Sequence, residues 1–272
     1  MVTQAIIPLA GLGTRLLPLS SVIPKELLPI NGKPNLEYIM EECIEAGIKQ
    51  FIFVVPKNRP SIKKYFFNDN FYKKIIKKKK NDKRLKNVFN RLKQFQKMIK
   101  FVYQNKPEGT GHAVLKCTKY LKGTHFLMLL ADDLIVKKNC SKEMISLHKK
   151  TRGSIIATTK VKRKTVSRWG ILGFKKKTKN SFLINEVIEK PKLSEAPSNY
   201  AIIGRYILPR KILSVLKMQG RGKGGEIHIT DAIKTLVKKD EKFYGNIFKG
   251  KYIDCGTLDG FIKSGLTISK YL

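Results

Sequence analysis

The sequence is short of acidic side chains, of arginine and of paired cysteines. Its 272 residues include 20 Asp and Glu against 56 Lys and Arg, which gives a formal net charge of +36. The four cysteines, at positions 43, 117, 140 and 255, lie far apart and form no CxxC pair. This spacing argues against a zinc site or a disulfide scaffold and favours a reducing compartment, so we expect a cytoplasmic protein.

Long apolar runs are also missing. No stretch approaches the roughly 18–20 apolar residues that a membrane-spanning helix needs. The N-terminal stretch MVTQAIIPLAG has no basic residue ahead of its apolar part, so a signal peptide is not expected. We therefore expect no membrane partner.

Lysine supplies most of the positive charge, since only ten of the 56 basic residues are arginine. A chain this basic suits nucleic acid, an anionic membrane or an anionic small substrate. The alternative is a coding bias towards lysine on solvated surfaces. The scattered lysines favour that bias, because dedicated nucleic-acid binders more often use arginine interleaved with aromatic residues. No RNP, KH or helix-turn-helix pattern is present, so we expect no specific nucleic-acid partner.

Alternating strand and helix patterns predict an α/β protein. Apolar residues make up 42% of the chain, enough for a sizeable core. Residues 3–9 and 50–55 have buried-strand patterns, and the apolar side chains of residues 35–47 between them have helical spacing. A strand, a helix and a strand in this order predict a right-handed parallel unit.

The rest of the chain continues this pattern and then changes character. Residues 71–99 hold a lysine run followed by an amphipathic helix pattern from Leu85 to Ile99. The second half is rich in strand patterns and ends with a strand pair, KFYGNIF and KYIDCG, before a C-terminal helix from about residue 258. We expect one domain over residues 1–272, with a Rossmann-like part (about 1–135) and a mixed sheet around the substrate (about 136–272).

A glycine-rich turn follows the first strand. The run Gly11-Leu12-Gly13-Thr14-Arg15 begins like a dinucleotide fingerprint, but Leu16 stands where the third glycine belongs. The Walker pattern is absent too. Glycines still let a backbone approach a phosphate closely, and an arginine after the turn can fork onto its oxygens. A tight βα loop without a ligand is the alternative for this stretch alone.

Eight motifs spread along the chain narrow the choice. In order they are GLGTRLLPLSSVIPKELLP, QNKPEGTGHAV, LLADDLI, WGIL, VIEKPK, APSNYAIIGRYIL, GGEIHITDAI and YIDCGT. Each is weak by itself, but the ordered set, from about residue 4 to about residue 265, resembles the sugar-1-phosphate nucleotidyltransferases. It most resembles the bacterial members that transfer a uridylyl group to glucose 1-phosphate.

The resemblance implies a fold and a reaction. The fold is a Rossmann-like three-layer α/β/α arrangement with a mixed central sheet. The phosphate of α-D-glucose 1-phosphate would attack the α-phosphorus of UTP directly, with Mg²⁺, giving UDP-glucose and pyrophosphate. One alternative is a thymidylyl-transferring relative, and another is a basic nucleic-acid-binding protein that uses residues 71–99. The resemblance also implies a homo-oligomer, either a dimer or a tetramer.

The same resemblance implies roles in nucleotide binding. The turn from Ala10 through Gly11, Leu12 and Gly13 to Thr14 would wrap the triphosphate, and Arg15 and Lys25 would stabilise the charge that grows on pyrophosphate. An amide such as that of Gln104, at the end of a strand, offers both a donor and an acceptor to a uracil edge. In the family the matching glutamine binds the base together with the backbone at the position of Gly109 and, in the uridylyl-transferring members, with the glutamate that matches Glu26.

On the sugar side, the resemblance places Gly170 and Gly204 against the sugar. Glu189 would accept hydrogen bonds from glucose hydroxyls, and Lys190 would bind the phosphate of glucose 1-phosphate. His112 is interpreted as a helix-start residue rather than a catalytic base, because the attacking phosphate is already an anion.

Two aspartates are candidates for the metal. Asp132 and Asp254 both follow apolar strand patterns, and ligands of α/β sheets bind at such carboxyl ends. Mg²⁺ prefers a few carboxylates together with phosphate and water oxygens, and the matching family residues bind the ion. Asp133 is the rival to Asp132, and we favour Asp132 because it matches the first Asp after the family's strand.

Overall fold

One nine-stranded sheet organises the computed structural model, which describes residues 1–270. The strands are β1 (Gln4–Pro8), β2 (Pro29–Ile30), β3 (Lys33–Pro34), β4 (Gln50–Val55), β5 (Ile99–Tyr103), β6 (His125–Leu129), β7 (Asp133–Val136), β8 (Ser154–Lys160), β9 (Gly170–Lys177), β10 (Ser181–Glu189), β11 (Tyr200–Pro209), β12 (Phe243–Ile247) and β13 (Lys251–Asp254). The expected domain includes residues 271–272, which lie outside the described residues.

The large sheet has the order β5-β4-β1-β6-β11-β8-β12-β10-β9. Its first four strands are parallel, so their carboxyl ends meet at one edge. Strand β11 runs antiparallel to β6 and β8, which makes the sheet mixed. Because β11 also pairs with β9, strands β8 to β12 form a closed ring of paired strands. One sheet therefore continues from the first part of the chain into the second.

Helices cover both faces of this sheet. They are α1 (Asn35–Glu45), α2 (Ser61–Phe66), α3 (Asp69–Lys78), α4 (Lys83–Met98), α5 (Thr110–Lys116), α6 (Cys140–Thr151), α7 (Ile212–Met218), α8 (Ile229–Lys238) and α9 (Leu258–Ile268). Alternation along β1 sends Ala5 and Ile7 into one core, with α1, α4 and α6, and Ile6 into a second core, with α5, α7 and α8. The predicted three-layer fold with a mixed central sheet is confirmed.

The predicted helix from residue 35 is α1, and its apolar stripe is buried as expected. Side-chain caps define three other helix starts: Asp82 accepts a hydrogen bond from the Leu85 N–H at 3.0 Å, and Asn139 and Thr257 cap α6 and α9. Among residues 1–270, no helix combines the length and the apolar character needed to span a membrane.

The predicted amphipathic helix is α4, which ends at Met98, one residue before the predicted end, because Ile99 begins β5; the lysine run before it ends a separate helix, α3. One local prediction was wrong. The last two strands do not pair with each other. Strand β12 joins the large sheet between β8 and β10, whereas β13 pairs antiparallel with β7 and sets Asp254 opposite Asp133. Partner choice between strands depends on contacts distant in sequence, which local patterns do not report.

Candidate active site

The candidate site lies at the carboxyl edge of the parallel strands. The glycine-rich turn follows β1, Gln104 follows β5, and the segment from Leu130 to Asp132 follows β6. Because β1, β4, β5 and β6 run in one direction, these three segments lie at the same edge of the sheet. Two adjoining cavities open there, and we call them, after the roles expected of the residues in their walls, the nucleotide cavity and the sugar-phosphate cavity.

The nucleotide cavity has a volume of about 230 Å³. Six residues expected to bind nucleotide or stabilise its charge are in its wall, and so is Asp132. The wall is formed by Pro8, Ala10, Gly11, Lys25, Glu26, Gln104, Pro107, Gly109, Thr110, Ala113, Leu130, Ala131, Asp132 and Glu226.

The turn after β1 approaches this cavity with bare backbone. A Cβ at Gly11 would meet no atom within 4 Å, so the peptide there is open to a ligand. Gly13 has a φ of +66°, which favours glycine, and its carbonyl accepts a hydrogen bond from the Ser20 hydroxyl at 2.8 Å. Leu12 is half exposed, and Thr14 begins the short 3-10 helix that carries Arg15. The turn thus directs Arg15 back towards the cavities.

Gln104 is buried and held in one orientation. Its Nε2 lies 2.9 Å from Nδ1 of His112 and 3.3 Å from the carbonyl oxygen of Gly109. Burial lowers the pKa of His112, although the charge of Glu108, whose Oε2 lies 3.1 Å from the same Nδ1, acts in the opposite direction. Gly109 has a φ of +98°, and a Cβ there would lie 2.6 Å from the Ile227 carbonyl oxygen, so a side chain at this position would clash with the backbone.

Glu26 lies on the same cavity wall and is 2% exposed. Burial raises the pKa of its carboxyl to about 7, although the charge of Lys25 acts in the opposite direction. A carboxyl that titrates near neutral pH can donate a hydrogen bond when protonated and accept one when ionised. Both abilities suit a base edge such as that of uracil, which carries two carbonyls and one N–H.

The sugar-phosphate cavity has a volume of about 190 Å³. Its wall is formed by Arg15, Leu130, Asp132, Asp133, Arg168, Trp169, Gly170, Glu189, Ile202, Gly204, Tyr206, Thr230, Tyr252 and Asp254. The two predicted glycines hold it open. A Cβ at Gly170 would lie 3.1 Å from Oε2 of Glu189, and a Cβ at Gly204 would lie 2.3 Å from Oδ2 of Asp133.

Lys190 is placed differently from the other predicted sugar-side residues. Its backbone has a φ of +46° and donates to the Trp169 carbonyl at 2.9 Å, and its Nζ lies 3.7 Å from Oε1 of Glu189. Its side chain is about half exposed, at 48%. The cations in the cavity wall itself are Arg15 and Arg168.

Asp132 lies where the two cavities meet and belongs to both walls. Its Oδ2 is 2.6 Å from Nζ of Lys25 and 3.6 Å from Nη2 of Arg15. Burial by itself would raise the pKa of Asp132, but the charge of Lys25 outweighs it and holds that pKa below the usual value. Burial would likewise lower the pKa of Lys25, and Asp132 reverses the effect. The ion pair is therefore charged at neutral pH.

Asp133 faces away from this ion pair. Its carboxylate accepts hydrogen bonds from the hydroxyl of Tyr252 at 2.6 Å and from the Gly204 N–H at 3.0 Å. Burial and the neighbouring charge of Asp132 raise the pKa of Asp133 to about 6. These hydrogen bonds hold Asp133 within the fold, whereas Asp132 is the aspartate whose carboxylate contacts Lys25.

Asp132 and Asp254 have the chemistry of a magnesium site. Arg15 bridges them, with Nη1 lying 3.8 Å from Oδ2 of Asp254. A Cβ at Gly256 would lie 2.7 Å from Oδ2 of Asp132 and 3.2 Å from Oδ1 of Asp254, so glycine keeps the gap clear. Residues 1–270 contain no group of three His, Cys, Asp or Glu side chains that could hold a metal ion. Phosphate oxygens of a substrate would complete such a site, because Mg²⁺ prefers one or two carboxylates together with phosphate and water oxygens.

Several wall residues were not predicted. They include Pro107, Thr110 and Glu226 in the nucleotide cavity and Arg168, Tyr206, Thr230 and Tyr252 in the sugar-phosphate cavity. Most lie inside or beside the motifs quoted above, and this adjacency was the available signal. Trp169 and Tyr252 also contact each other edge to face, with ring centroids 5.9 Å apart.

Comparison with known proteins gives consistent matches over nearly the whole chain. The family model described as nucleotidyl transferase matches residues 4–270. UTP--glucose-1-phosphate uridylyltransferase 2 of Staphylococcus saprophyticus is 38% identical over 264 residues, which cover 97% of this chain and 90% of that protein.

Solved structures agree with this match. The crystal structure of a UDP-glucose pyrophosphorylase complexed with UDP-glucose is similar with a TM-score of 0.88 and 34% identity, and covers 100% of both chains. A UTP-bound UGPase from Acinetobacter baumannii is similar with a TM-score of 0.83 and 32% identity, over 98% of this chain and 93% of that one.

Proposed function

The chain belongs to the nucleotidyl transferase family, and on this basis we propose that it transfers a uridylyl group from UTP to α-D-glucose 1-phosphate. The products would be UDP-glucose and pyrophosphate. One observation carries the proposal: Asp132, paired with Lys25, lies in the common wall of two cavities that open at the same edge of the sheet. A site of this shape brings two phosphorylated substrates together at one charged junction.

The proposed reaction is a direct displacement. A phosphate oxygen of glucose 1-phosphate forms a bond to the α-phosphorus of UTP, and the bond from that phosphorus to the bridging oxygen of pyrophosphate breaks. The attacking phosphate is an anion already, so no residue has to remove a proton, and His112 has no catalytic role. The protein contributes alignment and charge stabilisation.

Each cavity wall supplies part of that alignment. On the nucleotide side, Gln104, Glu26 and the backbone at Gly109 would bind the uracil edge, and the turn after β1 would lie along the triphosphate. Lys25 and Arg15 would stabilise the charge that develops on pyrophosphate. The burial of Gln104 and Glu26 and the open backbone at Gly11 support these proposed roles.

On the sugar side, Glu189 would accept hydrogen bonds from glucose hydroxyls in the space left by Gly170 and Gly204. Lys190, beside Glu189, and Arg168, in the cavity wall, would bind the sugar phosphate. Asp132 and Asp254 would hold Mg²⁺. When bound, that ion would stabilise the charge on the phosphate oxygens in the transition state.

We also propose that the enzyme works in the cytoplasm as a homo-oligomer. All four cysteines are free and buried, as expected in a reducing compartment. Helix α9 exposes an apolar stripe of Leu258, Ile262 and Leu266, which suits contact with another copy. Light scattering would show a mass of two or four chains, whereas a monomer at micromolar concentration would contradict this part of the proposal.

The deciding experiment supplies glucose 1-phosphate, Mg²⁺ and one nucleoside triphosphate at a time, and measures pyrophosphate and sugar nucleotide. We expect UTP to be used roughly ten- to a hundredfold better than ATP or GTP, because a mismatched base leaves buried polar groups unpaired at a cost of about 1–3 kcal/mol. The Asp132→Asn variant is the control for contaminating activity.

Three outcomes would count against the proposal. Equal use of all triphosphates would remove Gln104 and Glu26 as the groups that read the base. Preferential use of dTTP would favour the thymidylyl alternative. The absence of pyrophosphate with every triphosphate would reject the transferase function altogether.

A further inference from the structure

Arg205, on β11, is fully buried behind the wall that the two cavities share, with 0% of its surface exposed. Its guanidinium faces the carboxylate of Glu42, with Nη2 3.0 Å from Oε2 and Nε 3.3 Å from Oε1. Glu42 is held from its other side, because its Oε1 accepts hydrogen bonds from the Ser141 hydroxyl at 2.6 Å and the Ser141 N–H at 3.0 Å. The carboxylate on α1 thus fixes the plane of the guanidinium.

Two of the remaining donor contacts of Arg205 reach the segment that carries Asp132, and a third goes from Nη1 to the Gly204 carbonyl at 3.2 Å. Nη1 donates to the carbonyl of Leu130 at 3.1 Å, and Nη2 donates to the carbonyl of Asp133 at 2.6 Å. These two carbonyls lie on either side of Asp132 in the chain. Between them, the Ala131 carbonyl accepts from the Asn35 amide at 2.5 Å and the Asp132 carbonyl accepts from the Cys255 N–H at 2.7 Å. Every carbonyl from Leu130 to Asp133 is therefore bound.

We propose that Arg205, oriented by Glu42, is a positioning residue that fixes the backbone around Asp132 and thereby aims its carboxylate at Lys25 and at both cavities. This inference rests on the proposed transferase function. Only a planar guanidinium, with its five N–H donors, can contact a carboxylate with one edge and three backbone carbonyls with its other donors. Stability alone does not call for it, because replacing a buried ion pair with apolar residues of similar volume is often neutral or stabilising.

The Arg205→Lys variant keeps the positive charge beside Glu42 but replaces the fork with a single ammonium. We expect kcat to fall about a hundredfold, as misplacement of a catalytic group by about 1 Å can do. The KM for UTP should change little, because Gly11, Gln104 and Glu26 make no hydrogen bond to Arg205 in the described structure. A loss in kcat with an unchanged KM distinguishes positioning from general damage.

A second variant, Glu42→Leu combined with Arg205→Met, removes the pair without leaving a buried charge unpaired. It should fold and lose kcat to a similar extent. The matched control is Arg91→Lys, since Arg91 Nε lies 3.0 Å from Oε2 of the buried Glu37 on the same helix α1, and neither residue belongs to the wall of either cavity. This control should lower the melting temperature and leave kcat unchanged.

Amide hydrogen exchange without substrates gives a readout that needs no activity. In Arg205→Lys and in the double variant, peptides covering residues 130–134 should exchange faster, whereas β4 and α4 should exchange at the wild-type rate. In Arg91→Lys the acceleration should occur in α4 and not at residues 130–134.

The outcomes separate the two proposals. A wild-type protein that makes UDP-glucose, with variants at Arg205 that retain full kcat, would overturn the positioning role. An inactive wild-type protein would reject the transferase function, and the exchange rates at residues 130–134 would then decide the inference, which unchanged rates would overturn. If Arg205→Lys does not fold, the double variant supplies both measurements.

Discussion

At the residue scale, three aspartates lie close together and differ in what they face. Asp132 and Asp254 face Arg15 and the gap above Gly256, whereas Asp133 is bound by a tyrosine hydroxyl and a backbone N–H. We predict that Asp132→Asn and Asp254→Asn each keep the fold but lose turnover by about a hundredfold or more, because several kcal/mol of charge stabilisation are lost.

Asp133→Asn serves as the comparison for this prediction. It should keep kcat within about a factor of ten but lower the melting temperature, since an amide nitrogen would face one of the two donors at a cost of about 1–3 kcal/mol. Steady-state rates at saturating UTP and low magnesium, together with thermal melts, measure both effects. Near-normal rates for Asp132→Asn and Asp254→Asn would require the two-aspartate metal site to be abandoned.

Gly170 permits a second test at this scale. An alanine Cβ would lie 3.0 Å from Cδ1 of Ile202 and 3.1 Å from Oε2 of Glu189, so the carboxylate must shift by a few tenths of an ångström. We predict that Gly170→Ala raises the KM for glucose 1-phosphate about tenfold, equivalent to about 1.4 kcal/mol, with little change for UTP. Gly220→Ala is the control, because its Cβ would meet no atom within 4 Å. Equal effects on both substrates would contradict the assignment of this cavity to the sugar.

At the element scale, α3 and α4 form a strongly basic part of the chain between β4 and β5 in sequence, and the apolar side of α4 packs on the core. Asp69 of α3 pairs with Lys93 and accepts from Gln96 at 2.7 Å, which ties the two helices together. Lys77, Lys78, Lys79 and Lys80 are exposed at the end of α3. Their charges can be solvated fully, so they need no bound partner.

We predict that changing all four of these lysines to Gln leaves uridylyl transfer nearly unchanged. Pyrophosphate release and binding of labelled RNA and DNA near physiological salt would be measured side by side. Nanomolar, sequence-selective binding that disappears in the variant would show that α3 is a nucleic-acid site. Weak, salt-sensitive binding by both proteins would not, because any chain this cationic attracts nucleic acid without specificity.

At the scale of the whole molecule, the net charge of +36 surrounds a site for two anionic substrates. A field of this sign raises the local concentration of anions and their rate of association, and salt screens it. We predict that kcat/KM for UTP falls about tenfold or more as ionic strength rises from roughly 0.01 to 0.5 M, with a smaller change in kcat. Sucrose at matched osmolarity is the control. A flat salt profile would show that the surface charge does not influence substrate capture.

Local patterns were sufficient for much of the fold. The period of the apolar side chains located β1, α1 and β4, because strands and helices bury one face at a spacing that is visible in sequence. The ordered motifs also led to both cavity walls, since Gln104, Glu189 and Asp132 lie within them. Their catalytic roles stay predictions until the variants are measured.

Tertiary structure decided what depends on residues distant in sequence. Strand β13 pairs with β7 and not with β12. This pairing sets Asp254 opposite Asp133 and close to Asp132. The different environments of Asp132 and Asp133 come from Lys25, Tyr252 and Gly204, which local spacing does not bring together. The sequence by itself determined which segments are strands, helices and glycine-rich turns, because short-range periodicity and steric freedom are local properties. The folded chain determined that Asp132 meets Lys25 and Arg15, because that depends on packing between elements more than a hundred residues apart.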